Sequence, residues 1–290
     1  MTSEQQVSRI NDALYEIHRD ITADLSAKKL ANVAAYTEQH FHRTFHKIVG
    51  EPVHQYIRRT RLEHAANQLM FDPSRPVIDI AEKCGFVSLS SFSRAFKATF
   101  AMTPGQWRAL DKPTETPPYL QDKEIAAGFK HVQSCPLPAV DFVELPDQAV
   151  AYVRHQGYGR SIRQAWQRLQ VWAATKGRPF VGQIGLHHSN PAWVSLEQCR
   201  YVACLVIDEP VLKRGLVNSL VIPGGLHAAF HLTGKYGELL PYISKVLEQW
   251  LPPSGFRART TPAFVRYHEN HFLRADECFD VTFYLPISPW

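Results

Sequence analysis

Two short segments of this 290-residue chain carry an arginine between two phenylalanines. Phe41-His42-Arg43-Thr44-Phe45 is followed 51 residues later by Phe92-Ser93-Arg94-Ala95-Phe96. Because phenylalanines four residues apart lie on one face of a helix, each pair can be buried while its arginine faces outward. A guanidinium group can donate two hydrogen bonds to a guanine in the major groove of DNA. The repeated pattern therefore indicates two helices that could read bases.

The exposed face of each predicted helix carries further groups that can contact DNA. The first has amide and imidazole side chains, and glutamine is a common partner of adenine. The second has small hydroxyls and an amine, types that suit phosphate contacts. We expect base or backbone contacts from nine residues: Gln39, His42, Arg43, His46, Ser90, Ser91, Ser93, Arg94 and Lys97.

Each arginine-bearing segment has the flanks of a helix-turn-helix unit. A short apolar, alanine-containing helix precedes it, with breaks at Tyr36-Thr37 and Gly85. A long helix over 53–71 separates the two units, and a separation near one DNA turn, about 34 Å, would let one chain read an asymmetric site. The alternative is two solvated amphipathic helices with incidental arginines, and the matching flanks argue against it.

The chain changes character between residues 111 and 138. Pro113, Pro117 and Pro118 cannot continue a helix, and Pro136 and Pro138 close the region. We interpret 111–138 as a linker, with a strand or short helix around 123–133. It would join a domain of residues 1–110 to a domain of residues 139–290.

The C-terminal half contains a second duplication, at offsets of 77 to 79 residues. Leu145-Pro146 matches Ile222-Pro223, and Cys199 matches Cys278. The implied unit is strand, helix, strand, strand, used twice around a pseudo-twofold axis, which leaves a groove where a ligand could bind. Strands are predicted at 149–154, 201–207, 219–222, 228–232, 263–267 and 279–285, and helices at about 160–175 and 236–250.

Residues 8–110 resemble the DNA-binding domain of the AraC/XylS family. The resemblance rests most on Ile80-Ala81-Glu82-Lys83-Cys84-Gly85-Phe86 and on Thr103-Pro104-Gly105-Gln106-Trp107-Arg108. The family usually has glycine where Ala101 stands and tyrosine where Trp107 stands. The resemblance implies an all-α domain of seven helices with a double helix-turn-helix, and DNA contacts from positions 39, 42, 43, 90, 91, 93 and 94.

Residues 139–290 resemble the GyrI-like effector-binding domain of Rob-type AraC-family regulators. The resemblance implies an α+β fold with a duplicated strand-helix-strand-strand module and a small-molecule pocket. It is carried by Gly157-Tyr158, Trp172, Ile222-Pro223-Gly224-Gly225, Tyr236, Trp250-Leu251-Pro252-Pro253-Ser254-Gly255, Tyr267 and Leu285-Pro286-Ile287.

One departure from that resemblance concerns the ligand. Drug-binding members carry Phe-Glu-x-Tyr, whereas this chain reads Phe264-Val265-Arg266-Tyr267. A buried carboxylate would attract a lipophilic cation or act as a general base, and valine can do neither. We therefore expect a neutral, aromatic or anionic effector rather than a cationic one. The predicted pocket wall is Trp193, Tyr201, Val265, Tyr267 and Tyr284, although these aromatics could equally be ordinary sheet core.

Other chemistry finds little support in the sequence. His42 and His46 have metal-ligand spacing but no third ligand, so neither a metal nor a cofactor is expected. No Ser-His-Asp or Cys-His pattern stands out, and we predict no catalytic residues. The five cysteines form no CxxC pair, which favours reduced, buried thiols.

The chain lacks an apolar run of about 20 residues that could span a bilayer, and its first residues do not resemble a signal peptide. The net charge of +5 does not by itself indicate nucleic-acid binding. We interpret the chain as a cytoplasmic, sequence-specific regulator that binds double-stranded DNA, with no membrane partner and with RNA polymerase as a further candidate partner.

The C-terminal half would sense a small molecule or contact a partner protein. Two alternatives stay open. One is a GyrI-like small-molecule hydrolase fused to a DNA-binding domain, and the other is a purely structural or interaction module.

Overall fold

The computed structural model describes residues 3–72, 74–110, 117–209, 211, 215–259 and 261–289. The chain divides into two compact units. The first comprises Met1–Asp111 with Leu212–Asn218, and the second comprises Lys112–Val211 with Ser219–Trp290. Within the described ranges, no helix is long and apolar enough to cross a membrane.

The first unit is helical, as predicted. Serine or threonine side chains cap several of its helices and accept a backbone N–H of the first turn, for example at Ser26, Thr37 and Ser88. Its helices are α1 Glu4–Arg19, α2 Ala27–Val33, α3 Glu38–Val49, α4 Val53–Phe71, α5 Val77–Lys83, α6 Leu89–Phe100 and α7 Pro104–Arg108.

The turns α2–α3 and α5–α6 begin with the same backbone geometry. Each contains a residue in the left-handed region, Ala35 with φ 52° and Gly85 with φ 76°. In the first turn, the N–H of Tyr36 donates to a carbonyl of α2 over 2.9 Å, and in the second, the N–H of Phe86 donates to a carbonyl of α5 over 2.9 Å. The two helix-turn-helix units, α2–α3 and α5–α6, are therefore structural repeats, as the sequence pattern predicted.

The four phenylalanines of the repeated segments are fully buried. Phe45 packs edge-on against Tyr56 of α4, with ring centroids 5.7 Å apart. Phe96 packs against Trp107, whose Nε1 donates to the carbonyl of Ala66 in α4 over 3.1 Å. Because α4 supplies a partner to both clusters, it holds α3 and α6 in one framework.

The second unit is an α+β structure built on an antiparallel sheet. Its helices are α8 Lys123–Ser134, α9 Ile162–Thr175 and α10 Leu239–Lys245, which continues as a π-helical turn, Val246–Trp250. Its strands are β1 Val140–Leu145, β2 Gln148–Gln156, β3 Gln183–His187, β4 Arg200–Val206, β5 Asn218–Ile222, β6 Gly225–Lys235, β7 Phe256–Ala258, β8 Ala263–Glu269 and β9 Cys278–Pro289.

The sheet order shows the predicted duplication. The order is β1-β6-β9-β8-β3-β4-β2-β5, with β7 paired to β9. One copy is β2-α9-β3-β4 and the other is β6-α10-β8-β9, and they meet where β3 pairs with β8. At that junction Gly185 lies opposite Val265. The strand before each copy pairs with the other copy, because β1 joins β6 and β5 joins β2.

Part of the segment that we interpreted as a linker is folded. Pro118–Gln121 forms a 3-10 turn, and Asp122 caps α8 by accepting two backbone N–H groups. Tyr119, Ile125 and Val132 are buried. The ordered packing of the second unit therefore begins before residue 139, and residues 111–116 lie outside the described residues.

The five cysteines are free thiols. Cys84, Cys199 and Cys204 are buried, as predicted for reduced thiols, whereas Cys135 and Cys278 are half-buried.

Candidate functional site

The nine residues predicted to contact DNA lie on the solvent-facing sides of α3 and α6. None of them belongs to the buried core. The exposed ones are Gln39, Arg43, His46, Ser90, Arg94 and Lys97, and the partly exposed ones are His42, Ser91 and Ser93.

The surface of α3 presents an available positive charge. Nη2 of Arg43 lies 3.1 Å from Nδ1 of His40, which orients the guanidinium group along the helix. Among the described residues, Arg43 forms no ion pair with a carboxylate. His42 lies 3.9 Å from Glu38, one helical turn earlier. Arg43 can therefore offer its charge and several N–H donors to a phosphate or a guanine.

The first turn of α6 is occupied by a network of hydroxyl groups. Ser88 caps the helix by accepting the N–H of Ser91 over 3.2 Å, and the Ser91 hydroxyl donates to the Ser88 carbonyl over 2.8 Å. Because its proton is used there, Ser91 can offer DNA an acceptor but not a donor. Arg94 donates weakly to the carbonyl of Ser90 over 3.4 Å and remains exposed.

Three residues of the predicted pocket wall lie on the helix-facing side of the sheet, but they fill the groove rather than line it. Tyr201, Val265 and Tyr267 are buried, and the hydroxyls of Tyr201 and Tyr267 are 3.1 Å apart. The Tyr201 hydroxyl occupies the space that a Cβ atom at Gly185 would need. Burial raises the pKa of both tyrosines, so both stay protonated.

The other two predicted wall residues lie elsewhere. Tyr284 pairs with Phe264, not with Val265, so its side chain is on the opposite face of the sheet, where it stacks on the Phe264 ring. Trp193 lies in the β3–β4 loop and packs against a cluster that contains Tyr119 and Ile125. The structure therefore does not bring the five predicted residues together around one cavity.

A cavity does exist in the second unit, displaced from the sheet centre toward the first turns of α9 and α10. The empty space there, counted together with the open solvent at its mouth, is about 390 Å³. The two copies contribute equivalent pairs, Tyr158 with Tyr236 and Gly159 with Gly237. The lining consists of Ile125, Tyr158, Gly159, Ile162, His187, Tyr236, Gly237, Leu239, Leu240, His271 and Phe272.

The polar groups that line this cavity are neutral near pH 7. Burial lowers the pKa of His187 to about 4, and burial together with the nearby His187 lowers that of His271 to about 3. The Nδ1 atom of His271 is buried and has no hydrogen-bond partner among the described residues. No lining residue is an aspartate, glutamate, lysine or arginine.

A charged cluster lies next to this lining, and in it two carboxylates share one arginine. Arg160 donates to both Glu277 and Glu124, with 2.6 Å between Nη2 and an Oε atom of Glu277. The guanidinium carbon of Arg160 also lies 4.0 Å from the centre of the Tyr236 ring. Because two carboxylates neutralise Arg160, it offers no spare positive charge to the cavity.

Helix α8 closes one side of this cavity. Ile125 lines the space, and Gly128 lies so close to the backbone of Gly237 that a Cβ atom would clash with it. At the other end of α8, Nζ of the buried Lys245 donates to the carbonyls of Val132 and Cys135 over 2.8 and 2.5 Å. The helix is therefore held against α10 at both ends.

Sequence reasoning did not assign His187, His271 or the two tyrosines to a pocket. Gly157-Tyr158 and Tyr236 were interpreted there as carriers of the resemblance to the GyrI-like domain, and not as pocket residues. They could have located the cavity, because a repeat around a twofold axis places equivalent residues on both sides of one space.

Comparison with known proteins agrees with both halves of this description. Residues 138–288, a little over half of the chain, match a family described as GyrI-like small molecule binding domain, and residues 30–110 match a helix-turn-helix domain. The Right origin-binding protein of Escherichia coli (strain K12) is 36% identical over 285 residues, which cover 94% of this chain and 94% of that protein. The chain belongs to the AraC-type transcriptional regulators that carry a GyrI-like domain.

Other relatives of this regulator have one or both of its parts. The Transcriptional regulator Rob of Salmonella typhimurium is 35% identical over 278 residues, 91% of this chain and 92% of that protein. The HTH-type transcriptional activator AarP of Providencia stuartii is 41% identical over 106 residues, 37% of this chain and 78% of that protein. The solved EcmrR C-terminal domain aligns with a TM-score of 0.42 at 14% identity, covering 53% of this chain and 100% of that one.

Proposed function

We propose that this regulator recognises specific sites on double-stranded DNA by placing α3 and α6 in successive segments of the major groove. The supporting observation is the structural repeat, in which two capped helices present exposed polar residues from the same position in equivalent turns. The second helix of a helix-turn-helix unit meets base edges with its N-terminal residues. Because both units belong to one chain, one molecule can read an asymmetric site.

The two helices would make different kinds of contact with DNA. On α3, Gln39, His42 and Arg43 offer an amide, an imidazole and a guanidinium group, which suit direct readout of bases. On α6, the Ser88–Ser91 hydroxyl network leaves Arg94 as the main charged donor. We therefore assign most base discrimination to α3 and a larger share of backbone contact to α6.

Binding of genomic fragments by the purified full chain tests this function. Fragments that the protein enriches are compared with unrelated duplexes of equal length by fluorescence anisotropy at two salt concentrations. We expect the enriched sites to bind about a thousandfold or more tightly than unrelated DNA. If enriched and unrelated duplexes bound with equal affinity at both salt concentrations, sequence-specific recognition would be contradicted.

We also propose that the cavity of the second unit takes an uncharged small molecule as effector. An ion that enters it would lose its hydration without meeting an opposite charge in the lining, which has no ionised side chain. Beside the lining, Arg160 is already bound by two carboxylates, and both carboxylates are already bound by Arg160. The sequence led us to expect a neutral, aromatic or anionic effector, and of these classes we propose an uncharged molecule.

Three probes of nearly equal size and different charge test the effector class: benzyl alcohol, benzylamine and benzoate. We expect benzyl alcohol to shift the NMR signals of residues around the cavity and the other two to have little effect. The variant Leu240→Trp, which fills the cavity, is the control and should abolish the shift. Tightest binding by benzylamine or benzoate would contradict this proposal.

We propose further that the regulator acts in the cytoplasm, with RNA polymerase as a candidate partner.

We also propose that the second unit does not catalyse hydrolysis. At the centre of the sheet, where a carboxylate base would stand, the chain has Val265 and, opposite it, Gly185. Incubation of the protein with small electrophilic esters and epoxides should therefore give no turnover. Turnover that is abolished by Leu240→Trp would restore the hydrolase alternative.

A further inference from the structure

Two apolar side chains flank the residue that caps α6. Val87 precedes Ser88 and is 101% exposed, and Leu89 follows it and is 41% exposed. Val87 is the last residue of the turn before the cap and Leu89 is the first residue of α6, with Ser90 and Ser91 beside them. Val87 therefore contributes no free energy of apolar burial to the folded protein, and its position decides what it can contact.

In the first helix-turn-helix unit, the residue before the cap has a packing role that Val87 lacks. The residue before the cap of α3 is Tyr36, which packs against the core cluster that contains Phe41. Such a contact between the residue before the cap and the fourth residue of the helix fixes the angle at which the chain enters.

In the second unit, Phe86 takes over that contact, since its ring lies 5.1 Å from the ring of Phe92. The turn before α6 is one residue longer than the turn before α3. The left-handed residues Ala35 and Gly85 are 50 positions apart, whereas the caps Thr37 and Ser88 are 51 apart. Val87 is the additional residue, and it has no packing role.

The position of Val87 indicates what it contacts. It lies directly before the N-terminal turn of the second helix of a helix-turn-helix unit, the part that meets base edges in the major groove. Thymine presents a methyl group there, and apolar side chains recognise it. We propose that Val87 contacts the C5-methyl group of a thymine in the half-site of α6, with Leu89 extending the apolar surface. This inference rests on the proposed DNA-binding function.

A protein partner fits this surface less well. Two adjacent side chains surrounded by serines form a far smaller apolar area than the few hundred Å² that mark protein interaction sites. Exposed valines elsewhere, Val171 and Val181, are 63% and 65% exposed and provide controls for the loss of a surface valine.

The experiment starts with selection of binding sites from random duplex DNA by the full wild-type chain and by Val87→Ser. We expect the two selections to differ in thymine preference at one position, while Val171→Ser selects the wild-type site. Each thymine of the selected site is then replaced, one at a time, by deoxyuridine, which lacks the methyl group.

At one position we expect this replacement to weaken binding of the wild-type chain about fourfold, the value of one buried methyl-sized group. The same replacement should leave binding by Val87→Ser unchanged. Equal losses for both proteins at every thymine, or no loss at any thymine, would overturn the inference while leaving DNA recognition intact. A selection that enriches no sequence at all would overturn the DNA-binding function and this inference with it.

Discussion

At the scale of single residues, Arg43 and Arg94 occupy equivalent positions in repeated segments but have different surroundings. Arg43 has an imidazole beside it and no carboxylate partner among the described residues. Arg94 lies next to a capping network that already uses hydroxyl protons. The same residue type can therefore serve base readout in one helix and anchoring in the other.

We predict that Arg43→Ala weakens binding to the selected site by about 1–3 kcal/mol and relaxes the preference at one base position. The reason is the loss of a bidentate donor to a base edge. Anisotropy titration at a fixed salt concentration measures the affinity, and Lys176→Ala, which removes an exposed charge from the second unit, is the control. An unchanged base preference would show that Arg43 does not read DNA.

A second residue-scale prediction concerns Ala101, which ends α6 in the left-handed region with φ 59°. The equivalent residue after α3 is Gly50, with φ 86°. Because a Cβ atom is strained in this conformation, Ala101→Gly should stabilise the first unit by about 0.5–1 kcal/mol. Urea unfolding followed by circular dichroism measures the change.

The matched control is Ala98→Gly, the same substitution inside α6. There the backbone is helical, so glycine should destabilise the unit by about 0.5–1 kcal/mol. Changes of the same sign in the free energy of unfolding for Ala101→Gly and Ala98→Gly would contradict the conformational explanation.

The neutral histidines of the cavity predict a dependence of stability on pH. The pKa of His271 is about 3 in the folded chain and about 6.5 when unfolded, so the unfolded state takes up a proton first as the pH falls. Stability should therefore fall as the pH drops from 6.5 toward 3, by up to about 1.4 kcal/mol per pH unit for this one group.

We expect His271→Phe to flatten that dependence, because phenylalanine has no proton to gain. Free energies of unfolding from urea titrations at pH 7, 6, 5 and 4 measure the slopes. An equally steep slope for His271→Phe and the wild-type chain would contradict the neutral, buried state of this histidine.

At the scale of elements, α8 connects the cavity with the segment that leads to it from residue 117. Three carbonyls at its C-terminal end accept hydrogen bonds from Nζ of Lys245, a residue that is 4% exposed. Lys245→Met keeps the aliphatic stem and removes the donor. We predict a loss of about 1–3 kcal/mol, because buried carbonyls lose their partner. Hydrogen exchange of the α8 amides measures it.

The exposed Lys235 is the control, and Lys235→Met should leave exchange in α8 unchanged. Exchange in α8 that is insensitive to Lys245→Met would show that the apolar contacts of Ile125 and Val132 suffice to hold the helix.

The sequence predicted elements whose pattern is local, and it was weaker where distant strands decide the outcome. The phenylalanine spacing and the Thr37 cap are enough to predict α3. Strand β3 was not predicted, because it is short and contains Gly185, a residue that weakens a strand signal. The structure explains that glycine, since the Tyr201 hydroxyl fills the space of its missing side chain.

The pocket wall illustrates the same limit. Which face of the sheet Tyr284 occupies depends on the register of β9 against β8, and a one-residue difference reverses it. Without the register, the sequence could not show whether Val265 and Tyr284 lie on the same face or on opposite faces of the sheet. The duplication was the more useful signal, because it relates Tyr158 to Tyr236 without any knowledge of register.

At the scale of the whole molecule, the chain combines two duplications with different consequences. The helical repeat presents two exposed polar helix faces, and the sheet repeat forms a cavity from equivalent halves. If an uncharged effector changes the affinity for DNA by some factor, DNA must change the affinity for that effector by the same factor. Titration of the effector with and without the selected duplex would measure this coupling.

The most direct test of the account is selection of binding sites from random DNA with three full-length proteins: the wild-type chain, Arg43→Ala and Arg94→Ala. We predict that the wild-type chain enriches an asymmetric site with two separated segments. Arg43→Ala should lose base preference in one segment, and Arg94→Ala should lose affinity or preference in the other. Enrichment of a site that both variants bind as the wild-type chain does would contradict recognition of DNA by α3 and α6.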